Sequence, residues 1–103
     1  MSQTTRFRFS ASAIERLAFP ADATLSIKTV EFSDLDCPGL KLSIARAGSK
    51  TFWFRFVLAG TKGAIRLGRF PALAVTDARK LALTYRAQVE QGIDPRHRKR
   101  RST

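Results

Sequence analysis

Apolar side chains fall on every second residue in three successive runs of this chain, and that alternation limits what it can fold into. Leu40, Leu42 and Ile44 alternate with Lys41, Ser43 and Ala45. Phe52, Phe54, Phe56 and Leu58 alternate with Thr51, Trp53, Arg55 and Val57, and Ile65 and Leu67 with Ala64 and Arg66. A period of two sends successive side chains to opposite faces of a strand, so each run reads as a half-buried strand. Turns at Ala47-Gly48-Ser49 and from Gly60 to Gly63 make neighbouring runs antiparallel. The spacing predicts strands near 40–46, 51–58 and 63–68. One face of this sheet is rich in Phe and must be covered.

The cover is predicted from the next change of period. After Gly68-Arg69-Phe70-Pro71, the residues Val75, Ala78, Leu81, Ala82, Tyr85 and Val89 recur at helical spacing, while Arg79, Lys80, Arg86 and Glu90 take the remaining surface. Thr76 suits the N-cap, Asp77 favours the positive helix terminus, and Gly92 with Pro95 ends the run, giving a helix near 76–91. A shorter helix is predicted near 11–17. Ser10 or Ser12 can cap it, Ile14 and Leu17 give it an apolar edge, and Pro20 stops it. Residues 21–39 are turn-rich with room for an extended piece from Ser26 to Phe32, closed by Asp34, Asp36 and Pro38-Gly39. The expected class is therefore α+β: a three-stranded antiparallel sheet packed against a C-terminal helix, with a short N-terminal helix.

Charge narrows the function. Between Asp36 and Asp77 the chain has seven Lys or Arg and no carboxylate, within a total of 19 Lys plus Arg against 8 Asp plus Glu and a net charge of +11. A sheet with one apolar face and one positive face suits a polyanion. Composition alone does not choose among DNA, RNA and an anionic membrane. A length of 103 residues allows one modest domain, and 44% hydrophobic residues are enough for a core. Cys37 stands alone, so no internal disulfide forms and a reducing cytoplasm is the natural compartment. It reads as a buried or turn thiol rather than a nucleophile. With His97 as the single histidine there is no zinc set and no Cys-His pair, and no cofactor or metal is expected. Tyr85, the single tyrosine, reads as core, and no run is long and apolar enough for a membrane span.

Several ordered pieces resemble the amino-terminal, arm-type DNA-binding domain of tyrosine-recombinase integrases from prophages and integrative islands. Ser10 to Leu17 resembles the family's opening helix, and Asp36-Cys37-Pro38-Gly39-Leu40-Lys41-Leu42 its Asp…Gly-Leu approach to the first strand. Gly48-Ser49-Lys50-Thr51-Phe52 and Phe54-Arg55-Phe56 resemble its Gly-Ser-Lys turn followed by an aromatic and an Arg-aromatic pair. Leu67-Gly68-Arg69-Phe70-Pro71 resembles Leu-Gly-x-Tyr/Phe-Pro, Thr76-Asp77-Ala78-Arg79 the opening of the last helix, and Gly92-Ile93-Asp94-Pro95 the Gly-x-Asp-Pro exit. The family's second-strand Trp is Phe52 here, with Trp53 one place later on the opposite face.

The resemblance implies insertion of the sheet into the major groove of duplex arm sites, supporting DNA integration and excision by a full recombinase. It divides the chain into a flexible arm at 1–8, the binding domain at 9–95 and a basic linker or tail at 96–103, with the catalytic domain absent. On this reading the chain itself is no enzyme, and the isolated domain is monomeric. Contacts with other integrase protomers would pass through the absent domains. The implied DNA-binding residues are Lys41, Ser43, Lys50, Thr51, Trp53, Arg55, Lys62, Arg66 and Arg69. Arg55 and Arg66 can reach guanine O6 and N7; Lys41, Lys50 and Lys62 suit phosphates; Thr51 and Trp53 suit sugars or thymine methyls. Trp53 has a competing place under the amino-terminal segment. Arg6 and Arg8, alternating with Phe7 and Phe9, fit either a small added strand or an arm along DNA. The run from Arg96 to Arg101 fits either a phosphate-tracking linker or a solvated tail. Two other readings stay open: a double-stranded RNA-binding domain, which uses helices and loops, and a protein-interaction module that offers the same face to an acidic partner.

Overall fold

The computed structural model describes residues 6–19 and 28–96. Pro20, the start of the extended piece at Ser26, and His97 with the basic residues after it lie outside the described residues. The elements in order are β1 (Arg6–Phe7), α1 (Ala11–Arg16), β2 (Thr29–Asp34), β3 (Leu40–Ala45), β4 (Lys50–Leu58), β5 (Thr61–Phe70) and α2 (Val75–Glu90). The strands form one sheet in the order β1-β2-β3-β4-β5; β1 runs parallel to β2 and the other pairs are antiparallel.

A mixed, five-stranded sheet thus replaces the expected three-stranded one. Both additional strands lie beyond β3. β2 pairs Phe32 with Leu42 and Val30 with Ile44, and β1 pairs Phe7 with Asp34. Neither strand has the strict alternation of its neighbours. The core-facing positions of β2 are Val30, Phe32 and Asp34, so an apolar series ends on a carboxylate, and two residues of β1 are too few to show a period.

The core lies between the sheet and the two helices. Leu40, Leu42, Ile44, Phe52, Phe54 and Phe56 from β3 and β4 are buried with Phe9, Ile14, Phe32 and, from α2, Val75, Ala78 and Ala82. Small residues on α2 let its backbone approach a surface of large rings. Phe54 and Phe56 stack with centroids 5.8 Å apart, and Tyr85 of α2 lies 6.2 Å from Phe54. The cap of α2 lies two residues earlier than expected: Ala74 is the N-cap without a side-chain hydrogen bond, and Thr76 lies within the first turn. In α1 the choice falls on Ser10, whose hydroxyl accepts from the Ala13 amide.

A polar clasp joins pieces that are remote in sequence. Asp34 is 4% exposed. Its Oδ1 accepts from the amides of Phe9 (3.2 Å) and Asp36 (3.1 Å), and its Oδ2 accepts from Arg79 Nε at 2.9 Å. Arg79 Nη2 also donates to the Phe9 carbonyl at 2.9 Å. The hydrogen bond to Asp34 stabilises the charged guanidinium and raises the Arg79 pKa. Asp34, the last residue of β2, is therefore also a core anchor, and Arg79 ties α2 to β2 and to the segment after β1. Cys37 is buried beside this cluster, and burial pushes its thiol pKa up, which disfavours the reactive thiolate.

The approach to β3 depends on Gly39. Its φ is +91°, and a Cβ there would lie 2.7 Å from Phe54 Cε1 and 3.0 Å from the Arg55 carbonyl oxygen. Backbone strain and overpacking act together at this site, so Gly39→Ala is expected to destabilise the domain by about 2–4 kcal/mol. Urea unfolding measures this as a lower midpoint at unchanged slope. An unchanged midpoint would contradict the close approach of Phe54.

Candidate nucleic-acid interface

The face opposite the helices is assembled in rows fixed by strand register. Ser33, Lys41, Trp53 and Arg66 are successive partners across β2 to β5, and Glu31, Ser43, Thr51 and Arg69 form the next row. On β4 and β5, Arg55 lies opposite Ala64, and Val57 opposite Lys62. Trp53 therefore stands between two cations. Its Nε1 donates to Ser43 Oγ at 3.1 Å, which fixes the indole on this face, away from the amino-terminal segment that packs into the core. Lys41 Nζ donates to Ser33 Oγ at 2.8 Å. Lys62 and Arg66 are exposed, and Val57 is 59% exposed, an unusual setting for an apolar residue among cations. Lys41, Arg55 and Lys62 rim a recess of about 540 Å³ with Val57.

Arg69 joins the face through an irregularity. The β4–β5 register shifts between Phe52 and Trp53, so that Gly68 pairs with Phe52 and Arg66 with Trp53, leaving Leu67 as the extra residue. Strict alternation from Arg66 would place Gly68 outward and Arg69 inward. The bulge reverses this and sets exposed Arg69 opposite Thr51.

Lys50 goes elsewhere. It pairs with Ile44 and Phe70 on the helix-facing side, and its Nζ donates to the carbonyls of Ile14 (2.8 Å) and Glu15 (3.3 Å). Those carbonyls belong to the last turn of a six-residue helix, where the Ile14 oxygen also accepts from the Leu17 amide at 3.1 Å and the ammonium adds a charged donor. The structure thus groups Lys41, Ser43, Thr51, Trp53, Arg55, Lys62, Arg66 and Arg69 on one face and assigns Lys50 to holding α1.

Two contributors were not visible from alternation within 40–67. Arg6 pairs with Ser33 and adds an exposed cation at the far edge. Glu31 brings a carboxylate onto a face that lacks one across β3 to β5, and it meets Arg55 Nε at 2.7 Å across the intervening β3. The polar-apolar alternation of Thr29 to Phe32 is the sequence signal that could have placed Glu31 there. At the end of the domain Arg96 binds Asp94 through Nε (3.0 Å) and Nη2 (2.8 Å), with its guanidinium carbon 5.3 Å from the centre of the Phe56 ring. The first cation of the terminal run is thereby held against the fold.

The chain is similar in sequence to known proteins. The profile of the family described as "Arm DNA-binding domain" matches residues 9–102. An "Integrase" of Shigella phage Sf6 and the "Prophage integrase IntS" of Escherichia coli (strain K12) are each 32% identical over 69 residues. That segment is 67% of this chain and 18% of each relative.

Proposed function

Because the chain belongs to the arm DNA-binding domain family, we propose that it holds duplex arm-site DNA through the sheet face opposite α2, as one domain of a site-specific tyrosine recombinase. The observation that carries the reading is the Lys41–Trp53–Arg66 row, flanked by Arg69, Lys62 and Arg55, on a sheet face that no helix among the described residues covers. A major groove about 12 Å wide admits such a strand layer. Arg66 and Arg55 are the side chains for base edges, because a planar guanidinium can bond guanine O6 and N7 together. Lys41 and Lys62 are compact charges for phosphates, with the recess beside Val57 as a seat for the backbone. Thr51, Ser43 and Trp53 supply sugar and methyl contacts. The relatives are named as integrases, and the proposed recombinase activity is that of a whole protein of which this chain supplies the DNA-holding domain.

Titration of the chain against duplex DNA over a salt series tests the reading. Affinity is expected to fall steeply as salt rises, since each neutralised phosphate releases condensed counterion. Lys62→Ala should weaken all duplexes alike and reduce the salt slope by about 1, whereas Arg66→Ala should cost about 1–3 kcal/mol on selected duplexes and little on others. Lys50→Ala should leave the slope unchanged and lower stability instead. Unaltered binding by both Lys62→Ala and Arg66→Ala would remove this face from consideration.

A further inference from the structure

Glu31 is the unexpected group on the proposed binding face. A carboxylate among cations that meet a polyanion opposes binding through its charge, yet Glu31 points outward from β2 at a position that register fixes. Its side chain is 33% exposed and that of Arg55 is 51% exposed, so both lie at the surface where a partner can reach them.

The contact itself is selective. Glu31 Oε2 receives Arg55 Nε at 2.7 Å. A guanidinium has five N–H donors in one plane: binding at Nε takes up the edge shared by Nε–H and one Nη2–H, and leaves the end-on pair, one N–H each on Nη1 and Nη2, open to another acceptor. Those terminal groups are the fork that matches guanine O6 and N7. An unsupported Arg side chain must lose rotamer freedom when it orders on a base, and a side chain already held in its plane loses less. Arg66 has no such ion pair among the described contacts, and Arg69 follows a bulge on β5, the edge strand of the described sheet. Among the described residues of this face, Arg55 is the one that combines an interior strand with an acidic support.

We propose that Glu31 is a positioning residue for base recognition: it fixes the Arg55 guanidinium so that its terminal fork reads one guanine, giving up non-specific affinity for discrimination at that base pair. The proposal rests on the DNA-binding reading above and adds to it a specificity residue from a strand outside the basic stretch. Glu31 acts through Arg55 and touches no base itself.

The test is selection from a fully randomised duplex library by the wild-type chain, Glu31→Ala, Glu31→Asp, Arg55→Ala and the double variant Glu31→Ala/Arg55→Ala, with thermal melting of each. Wild type should recover duplexes with a strong guanine preference at one position. Arg55→Ala should lose it by roughly 5- to 150-fold, the range of a good bidentate pair. Glu31→Ala should lose most of that same preference at that same position while binding unselected duplexes more tightly than wild type. The double variant should discriminate no worse than Arg55→Ala, and melting temperatures of the Glu31 variants should stay near wild type, because exposed ion pairs contribute little to stability. Glu31→Asp, with its carboxylate on a shorter stem, should fall between wild type and Glu31→Ala. If Glu31→Ala keeps the guanine preference while Arg55→Ala loses it, the pair is an ordinary surface contact and the proposal is overturned. If Glu31→Ala tightens selected and unselected duplexes equally, Glu31 is only a repulsive charge, which also overturns it. An Arg55→Ala chain with intact preference overturns it as well. A wild-type chain that binds no duplex overturns the DNA-binding reading itself, an outcome separate from the other three.

Discussion

Phe52→Ala is expected to bring the domain close to unfolding in water. Phe52 is fully buried on a strand with sheet neighbours on both sides, and its ring stands 6.3 Å from Phe9 and 6.2 Å from Phe70. It is therefore the meeting point of the segment after β1, the sheet interior and the end of β5. Truncation of a buried Phe costs about 3–5 kcal/mol through lost transfer energy and an unfilled cavity. A domain of this size has on the order of 5–10 kcal/mol in total. Relaxation cannot close the gap easily, because Leu42 and Gly68 on the flanking strands are held by the ladder. Denaturant unfolding should give a midpoint reduced by about half or more. Val57→Ala, on the outward face of the same strand, should stay within about 0.5 kcal/mol of wild type. Equal effects of the two substitutions would mean that the assignment of faces on β4 is reversed.

The second large effect is expected at Arg79. Its removal leaves the Asp34 carboxylate buried without its cation and the Phe9 carbonyl without a donor. Breaking a buried pair from one side costs about 3–5 kcal/mol. Because the Arg79 side chain is 28% exposed and water can enter when it is shortened, about 3 kcal/mol is the expected loss for Arg79→Ala. Arg79→Lys should recover only part of this, since one ammonium cannot reproduce a planar fork shared between Asp34 and Phe9. In a double-mutant cycle, Asp34→Ala combined with Arg79→Ala should be markedly less costly than the sum of the two, because the unpaired charge disappears with its partner. Additive losses would show that the two residues act independently.

These residues also show where the sequence was informative. β3, β4 and the main part of β5 were legible because each carries an uninterrupted period of two, and the register then confirmed which side of β4 holds the rings. β2 was obscured by Asp34, an inward carboxylate whose partners Phe9 and Arg79 are 25 and 45 residues away. Local pattern carries no information about such a distant clasp. On the candidate face, Lys41, Trp53, Arg55 and Arg66 followed from parity. Arg69 arrived there through a bulge that parity does not predict, and Lys50 left it because a neighbouring helix end offered two carbonyls. Glu31 was hidden because it belongs to a strand outside the acid-free stretch, although the sheet brings it beside Arg55.

The parallel attachment of β1 has a kinetic consequence. β2 to β5 form a meander of nearest-neighbour pairings whose partners are close in the chain, so their loops close early. The Arg6–Ser33 pairing, by contrast, closes a much longer loop, and the clasp must wait for both β2 and α2. Ordering of the first segment onto the sheet therefore belongs after the rate-limiting barrier. Weakening the clasp should accelerate the unfolding arm of a chevron and leave the refolding arm nearly in place, whereas damage within β3 and β4 should slow refolding. The amino-terminal segment is thus the latch that sets the lifetime of the native sheet, while the central hairpins set how quickly it is made.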